Sequence, residues 1–220
     1  MGKQKIDFGK LFKKLRVFKL DMQYIKNFVK RNEFLMKIYL FMWPALEDLK
    51  TKRIRTAIPL YIGNLLPDLF FCDRIRAVLL CIAGARLEEI NSSMVRQGFF
   101  IECASNLSAG KHFHVNRNSY FCGNDKIDIG CYVTISHNAQ ILTMHHRGEK
   151  HEQLVFKPVV IKDYCIIYAG AIILPGTVLE QYVVVGAGAV ISGQTKPGGI
   201  YKGNPAQFIG FRRDVDLNGS

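Results

Sequence analysis

The sequence has no CxxC pair. Its six cysteines, Cys72, Cys81, Cys103, Cys122, Cys131 and Cys165, all lie farther apart than such a pair. That excludes a zinc framework and the paired pattern of a disulfide scaffold, and marks them as reduced thiols of a cytoplasmic protein. Long apolar runs are missing too. The longest, Ile38 to Pro44 and Ala77 to Ala85, fall short of the roughly 20 residues that span a bilayer, and no apolar stretch of a secretory signal follows the basic N-terminus. The expectation is a protein that is soluble or peripheral to a membrane. Acid is scarce: 18 Asp and Glu stand against 30 Lys and Arg, a net charge of +12. Such a balance invites nucleic acid, anionic lipid or a phosphorylated ligand. Neither a recognition helix nor stacking aromatics accompany the lysines, so nucleic acid is set aside. With 220 residues, 49 % of them hydrophobic, the chain can build one sizeable core plus a flanking segment, or two small domains.

What is present is a period. Aliphatic residues recur at Ile161, Ile167, Ile173, Leu179, Val185 and Ile191, every sixth position, and the residue four after each of the first five is small or short: Cys165, Ala171, Thr177, Val183 and Ala189. A helix repeats its apolar face every three or four residues and a half-buried strand every second, so a strict six belongs to a supersecondary unit stacked on itself. Each rung is a short strand and a corner; three rungs make a triangular coil, stacked on the next at about 4.8 Å. The large aliphatic fills the interior, and the small residue sits where two walls converge and a bulkier side chain would overpack. A buried strand pair of an α/β domain would not hold six anchors in register. The expected fold class is mainly β: a parallel β-helix of hexapeptide repeats with a helical N-terminal segment and a C-terminal tail.

In chain order, Leu11, Leu15, Phe18, Met22, Ile25 and Val29 keep three-four spacing, with Lys10, Lys13, Lys14, Lys19, Lys26 and Lys30 largely between them. This is a basic amphipathic helix, suited either to an anionic membrane surface or to packing on the protein itself or a partner subunit. Residues 34–86 read as helix and loop, punctuated by Pro44, Pro59, Gly63 and Pro67. Asp73 is the expected N-cap of a helix from Arg74 to Ala83, closed by Gly84 and covering the open end of the first coil. The organisation is thus 1–86 helical and capping, 87–210 β-helix, and 211–220 tail. Within the β-helix, Ala109, Val115 and Phe121 keep the six-residue step, two residues are inserted, and Ile129, Ile135 and Ile141 resume it. The interval from Ile141 to Ile161 is no multiple of six. Residues 144–158 are therefore expected to leave the prism as a loop, the usual place for chemistry on a rigid scaffold, and they contain His145, His146 and His151.

Together with the repeat, Pro158-Val159-Val160-Ile161 and Gly203-Asn204-Pro205-Ala206 resemble the hexapeptide-repeat O-acetyltransferases. That branch holds maltose, galactoside and nodulation-factor acetyltransferases and many capsule or lipopolysaccharide O-acetyltransferases. The resemblance implies a left-handed coil. The family carries an Asn near the start of its active-site coil, an Ile-x-Ile-Gly rung, and a strand reading like I-Y-T-x-x-H. Here Asn116, Ile127-Asp128-Ile129-Gly130 and Ile141-Leu142-Thr143-Met144-His145-His146 meet that pattern without a gap. The resemblance implies His146 as catalytic base, with His145 as the alternative in the doublet, and Asn116 as the acceptor-binding residue. It implies acetyl-CoA as co-substrate in a groove between neighbouring prisms of a homotrimer, with Ala169 and Gly170 at the thioester and Ala187 and Ser192 along the pantetheine arm. The chain also departs from the family. Ser192-Gly193 stand where Thr-Lys is common, Gln207 replaces a basic residue, Tyr168 replaces a glycine, and the acid seven residues after the Asn falls at Gly123. Lys196, Lys202, Arg212 or Arg213 then supply charge for the CoA phosphates, and Asn118 or Asn124 stands in for the acid. No metal is implied.

The chemistry follows from the groups. An alcohol is a poor nucleophile at neutral pH, so its proton must leave as oxygen attacks the thioester; an imidazole, with an ordinary pKa of about 6.5, suits that task. The developing oxyanion needs a preorganised donor, for which a backbone N–H near Ala169 is the candidate. No cysteine sits beside a histidine in the matched coil, which favours direct transfer in a ternary complex over a ping-pong route. The acceptor expected is a sugar hydroxyl of a surface polysaccharide or its precursor, and the location cytoplasmic, with peripheral contact at the inner membrane face through the N-terminal basic helix. Two alternatives of other kinds stay open: an N-acetyltransferase on an amino sugar nucleotide, and a non-catalytic β-helix binding module. A zinc-holding γ-type carbonic anhydrase shares the fold and is set aside on the expectation that its His-x4-His pair is missing here.

Overall fold

The chain divides into two units, Met1–Lys50 and Thr51–Ser220. In the computed structural model, residues 53–147 and 153–214 are described, all within the second unit. The basic helix expected near the N-terminus, and His151, lie outside the described residues.

Two helices come first, α1 (Arg53–Leu65) and α2 (Phe70–Ala83), and strands of two to five residues follow. Most strands wind in turn round three parallel sheets. Face A holds β1 (Arg86–Leu87), β4 (Leu107–Ala109), β7 (Ile127–Ile129), β12 (Val159–Ile161) and β15 (Val178–Leu179). Face B holds β2 (Met94–Val95), β5 (His114–Val115), β8 (Thr134–Ile135), β13 (Ile166–Ile167), β16 (Val184–Val185) and β18 (Gly199–Lys202), edged by the antiparallel β19 (Gln207–Phe211). Face C holds β3 (Phe100–Ile101), β6 (Tyr120–Cys122), β9 (Gln140–Leu142), β14 (Ile172–Ile173) and β17 (Val190–Ile191). The expected β-helix is the observed one.

The register explains the sequence period. Ile161 pairs with Leu179, Ile167 with Val185 and Ile173 with Ile191, so each anchor stacks on the anchor one coil away. All six are buried, as are Cys165, Ala171, Thr177, Val183 and Ala189 at the converging walls. Upstream the coil carries extra residues, and Phe99, Phe113 and Phe121 fill it; Phe99 and Phe121 meet edge to face at 4.9 Å between centroids.

Two corners repeat a left-handed residue from coil to coil. Between faces B and C these are Gly98, Asn118, Asn138, Gly170 and Gly188, all at positive φ. Between A and B they are His112, Tyr132, Tyr164 and Tyr182, with φ from 54° to 62°. Asn tolerates this region by local hydrogen bonding, but a tyrosine there is strained by its Cβ. The rings offset that strain by stacking in one column: His112 on Tyr132 at 4.4 Å, Tyr132 on Tyr164 at 5.1 Å, Tyr164 on Tyr182 at 4.8 Å.

The open end of the first coil is covered by α2, whose Ala77, Leu80 and Ala83 join the β-helix core. Here the expected cap differs. The helix begins at Phe70, its N-cap is Leu69 without a side-chain bond, and Asp73 is buried in the first turn. Asp73 pairs with Arg76 at 2.8 Å and with Arg96 at 3.3 Å. Arg76 in turn donates to the carbonyls of Gly63, Leu66 and Pro67 at 2.9, 2.7 and 2.8 Å, tying the end of α1 and the connection to α2. A tertiary role outweighed the local capping preference. Gly84 does close the helix, at φ 119°.

Candidate active site

The excursion after Ile141 is a hairpin, not an irregular loop: β10 (Met144–Arg147) pairs antiparallel with β11 (Gln153–Phe156). Its base is pinned by buried Thr143. The Thr143 hydroxyl donates to the Cys122 carbonyl and accepts the Asp125 amide at 3.1 Å, while the Thr143 carbonyl accepts the Lys157 amide at 2.9 Å. Met144 and Thr143 thus interrupt β9 and redirect the chain outward at the corner between faces C and A. His145 lies opposite Val155 and His146 opposite Leu154, both histidines exposed. Successive strand residues face opposite sides, so the doublet presents one imidazole to each side of the ribbon. His146 and His151 also stand at the His-x4-His spacing of a zinc pair; among the described residues no group of three or more His, Cys, Asp or Glu could hold a metal.

Asn116 sits at the other edge of face C, just after β5. Its amide donates to the Ile135 carbonyl at 2.8 Å and its side-chain nitrogen to the same oxygen at 3.2 Å, which fixes the carboxamide. One prism therefore carries Asn116 and the histidine doublet on different edges of one sheet.

A polar cluster lies on the outer side of face C. Asn124 donates to Glu102 Oε2 at 2.6 Å, the Tyr120 hydroxyl donates to Glu102 Oε1, and Arg53 stands 3.6 Å from the same carboxylate. Burial and the Glu102 carboxylate push the Tyr120 phenol well above its ordinary range. No acid stands at Gly123, but Glu102 of the preceding coil brings a carboxylate beside Asn124, a neighbour that spacing did not reveal.

The predicted cofactor residues divide. Ala187, Lys202 and Arg212 line one open groove of about 730 Å³ on face B, floored by Ile166, Val184 and Ile200, with Tyr168, Arg213 and Asp214 at its sides. Ala169 is stacked on the Ala187 corner, its carbonyl accepting the Gly188 amide at 2.9 Å. The neighbouring amides of Tyr168 and Gly170 donate to Val185 and His137, while that of Ala169 donates to no carbonyl among the described residues, as an oxyanion donor requires. Ser192 is exposed at the far edge of face C, outside that groove. Lys196 is elsewhere again, its ammonium 4.8 Å over the Phe208 ring and its amide on the Tyr201 hydroxyl at 2.8 Å. Arg212 is engaged: its guanidinium donates to Asp214 at 2.6 and 3.1 Å and to the Tyr164 carbonyl at 3.4 Å. The Asp214 partnership, invisible at sequence level, raises the arginine and lowers the carboxyl from their ordinary ranges. Asn204-Pro205, the motif of the resemblance, forms the turn between β18 and β19 with a cis peptide.

Residues 158–193 match the family of bacterial transferase hexapeptide (six repeats). Nodulation protein L of Rhizobium meliloti (strain 1021) is 32% identical over 122 residues, covering 54% of this chain and 67% of that protein. The chain belongs to the hexapeptide-repeat acetyltransferases. Among solved structures, a maltose O-acetyltransferase from Clostridium difficile 630 superposes with a TM-score of 0.67 at 26% identity, over 74% of this acetyltransferase and 87% of that chain. A galactoside acetyltransferase in complex with coenzyme A gives a TM-score of 0.67 at 22% identity, over 75% and 82%, a likeness of fold. The left-handed coil of this family is the one expected.

Proposed function

We propose that this hexapeptide-repeat acetyltransferase moves the acetyl group of acetyl-CoA to a hydroxyl of a sugar, with His146 as general base. One observation carries the reading: the family's histidine motif falls on a hairpin pinned by Thr143 beside a sheet whose other edge bears Asn116. The maltose and galactoside enzymes among the structural relatives, and the coenzyme A held by the latter, agree with that chemistry.

His146 takes the hydroxyl proton as the oxygen attacks the thioester carbon. The carbonyl electrons move to oxygen, where the Ala169 N–H stabilises them. The tetrahedral intermediate collapses, the C–S bond breaks, and the imidazolium returns its proton to the departing thiolate. Asn116 binds the acceptor. Glu102 and Asn124 hold further acceptor hydroxyls in place of the family acid. The face B groove takes the CoA, with Ala187 along the pantetheine arm and Lys202 and Arg213 on its phosphates; Arg212 joins them by exchanging Asp214 for phosphate. Since Asn116 and His146 lie on different edges of a prism, the active unit is a homotrimer in which one chain's hairpin meets the Asn116 edge of its neighbour.

The test is acetyl transfer by purified full chain to a panel of sugars, read by mass spectrometry. His146→Ala should lower kcat by about 10²- to 10⁴-fold while leaving acetyl-CoA binding by calorimetry unchanged, and His145→Ala should keep most of the rate. Mixing His146→Ala and Asn116→Ala chains should restore part of the activity through sites with both residues intact. Full activity of His146→Ala, or no acetyl-CoA binding by the folded chain, would sink the proposal.

A further inference from the structure

Both helices ahead of the β-helix are apolar on two sides. The inward side of α1 is Thr56, Pro59, Leu60 and Gly63. Its outward side repeats at helical spacing through Ile54, Ile58, Tyr61 and Leu65, and the outward side of α2 continues with Phe71 and Ile82. Exposure is large where it decides the matter: Leu65 and Tyr61 at 68%, Phe71 at 74%. A helix that is apolar all round is ordinarily buried, and contiguous exposed apolar surface of this kind marks an interaction site.

Among the described residues of the two helices, the exposed charges have one sign. Arg55 and Arg74 are exposed on the two helices, and α1 has no acid at all. The sole acid of α2, Asp73, is fully buried against Arg76 and Arg96, and Asp68 in the connection is turned onto Arg96 and Arg117. Every acid of the hairpin is thus consumed inward, leaving arginines to rim an aromatic and aliphatic centre. A two-fold contact with a second copy would bring arginine to arginine with no carboxylate between them. An anionic lipid surface supplies both an apolar layer and the opposite charge. No described helix is long and apolar enough to cross a membrane.

We propose that the outward face of α1 and α2 is a docking surface for an anionic bilayer, with Ile58, Tyr61 and Phe71 entering the boundary of headgroups and acyl chains and Arg55 and Arg74 meeting lipid phosphates. This does not depend on the acetyl-transfer chemistry, and it assigns the membrane contact to a surface other than the lysine-rich stretch at the N-terminus.

The experiment is flotation of the full chain with phosphatidylcholine vesicles, with and without phosphatidylglycerol. The chain should float with anionic vesicles and weakly or not at all with neutral ones. Ile58→Asp with Phe71→Asp should reduce partitioning about tenfold or more, and Arg55→Glu or Arg74→Glu about fivefold each. If the Asp pair lowers the melting temperature, Ile62→Gln with Leu65→Gln gives the same readout on the same face. The proposal fails if the folded chain ignores anionic vesicles. It fails too if binding survives these changes and is lost on Lys10→Glu, Lys13→Glu and Lys14→Glu, or if the face substitutions change the mass in light scattering without changing flotation, which would make the face a contact between copies.

Discussion

Tyr164 offers a sharp quantitative test of how this coil is held together. It occupies a left-handed corner at φ 59° and lies between Tyr132 and Tyr182, with ring planes 8° and 4° from parallel. Removing the ring forfeits two stacking contacts at about 0.5–1.5 kcal/mol each. In Tyr164→Ala the Cβ remains, so the backbone strain of about 1–2 kcal/mol remains with it and only the loss registers: about 2 kcal/mol, or about 4–8 °C in melting temperature for a chain of this size. Tyr164→Gly loses the same contacts but relieves the strain, at an entropic cost of about 0.5–1 kcal/mol in the unfolded chain. The smaller residue should therefore melt higher than alanine, by about 1–3 °C. Thermal unfolding followed by circular dichroism on the three proteins decides it. An alanine variant within a degree of wild type would refute stacking as a contribution, and a glycine variant melting below alanine would refute the strain.

Three further outcomes follow from buried and paired groups. Burial pushes the Cys165 thiol up to about 12, so at pH 8 iodoacetamide should label half-buried Cys131 while Cys165 reacts only in denaturant, as peptide mass mapping would show. Hydrogen bonds from Lys162 at 2.7 Å and Gln194 at 3.0 Å hold the Glu180 carboxyl below its ordinary range. Its contribution is therefore complete above the unfolded value near 4.3 and lost as pH falls through the lower folded one, so the melting advantage of wild type over Glu180→Gln should be steady at pH 6–7 and shrink below about pH 4. Asp73→Ala strands the guanidinium of Arg76, only 3% exposed, and should cost about 3–5 kcal/mol in urea unfolding; Asp73→Ala with Arg76→Leu should recover part of that.

The β-helix was legible because its core is local. Ile161 to Ile191 announce the rungs at a fixed step, and each anchor stacks on another a set distance along the chain. The histidine doublet was legible for a related reason: the step fails between Ile141 and Ile161, and only an excursion can absorb the excess. Asp73 has the local pattern of a cap, but its partner Arg96 comes from the first coil. Glu102 carries no local signal, since its relation to Asn124 and Tyr120 runs between coils.

By itself, then, the sequence determined the coil, its interior and the point where the chain leaves it, since all three follow from side-chain volume repeated along one strand path. Only the tertiary structure decided that Asn116 and His146 stand on different edges of a face, that Ala187, Lys202 and Arg212 share a groove without Ser192 or Lys196, and that Asp68 and Asp73 are turned onto arginines. Those are relations between different turns and different faces. Hydrophobic periodicity reports whether a residue points in or out, and carries nothing about which outward residues become neighbours when the coils close.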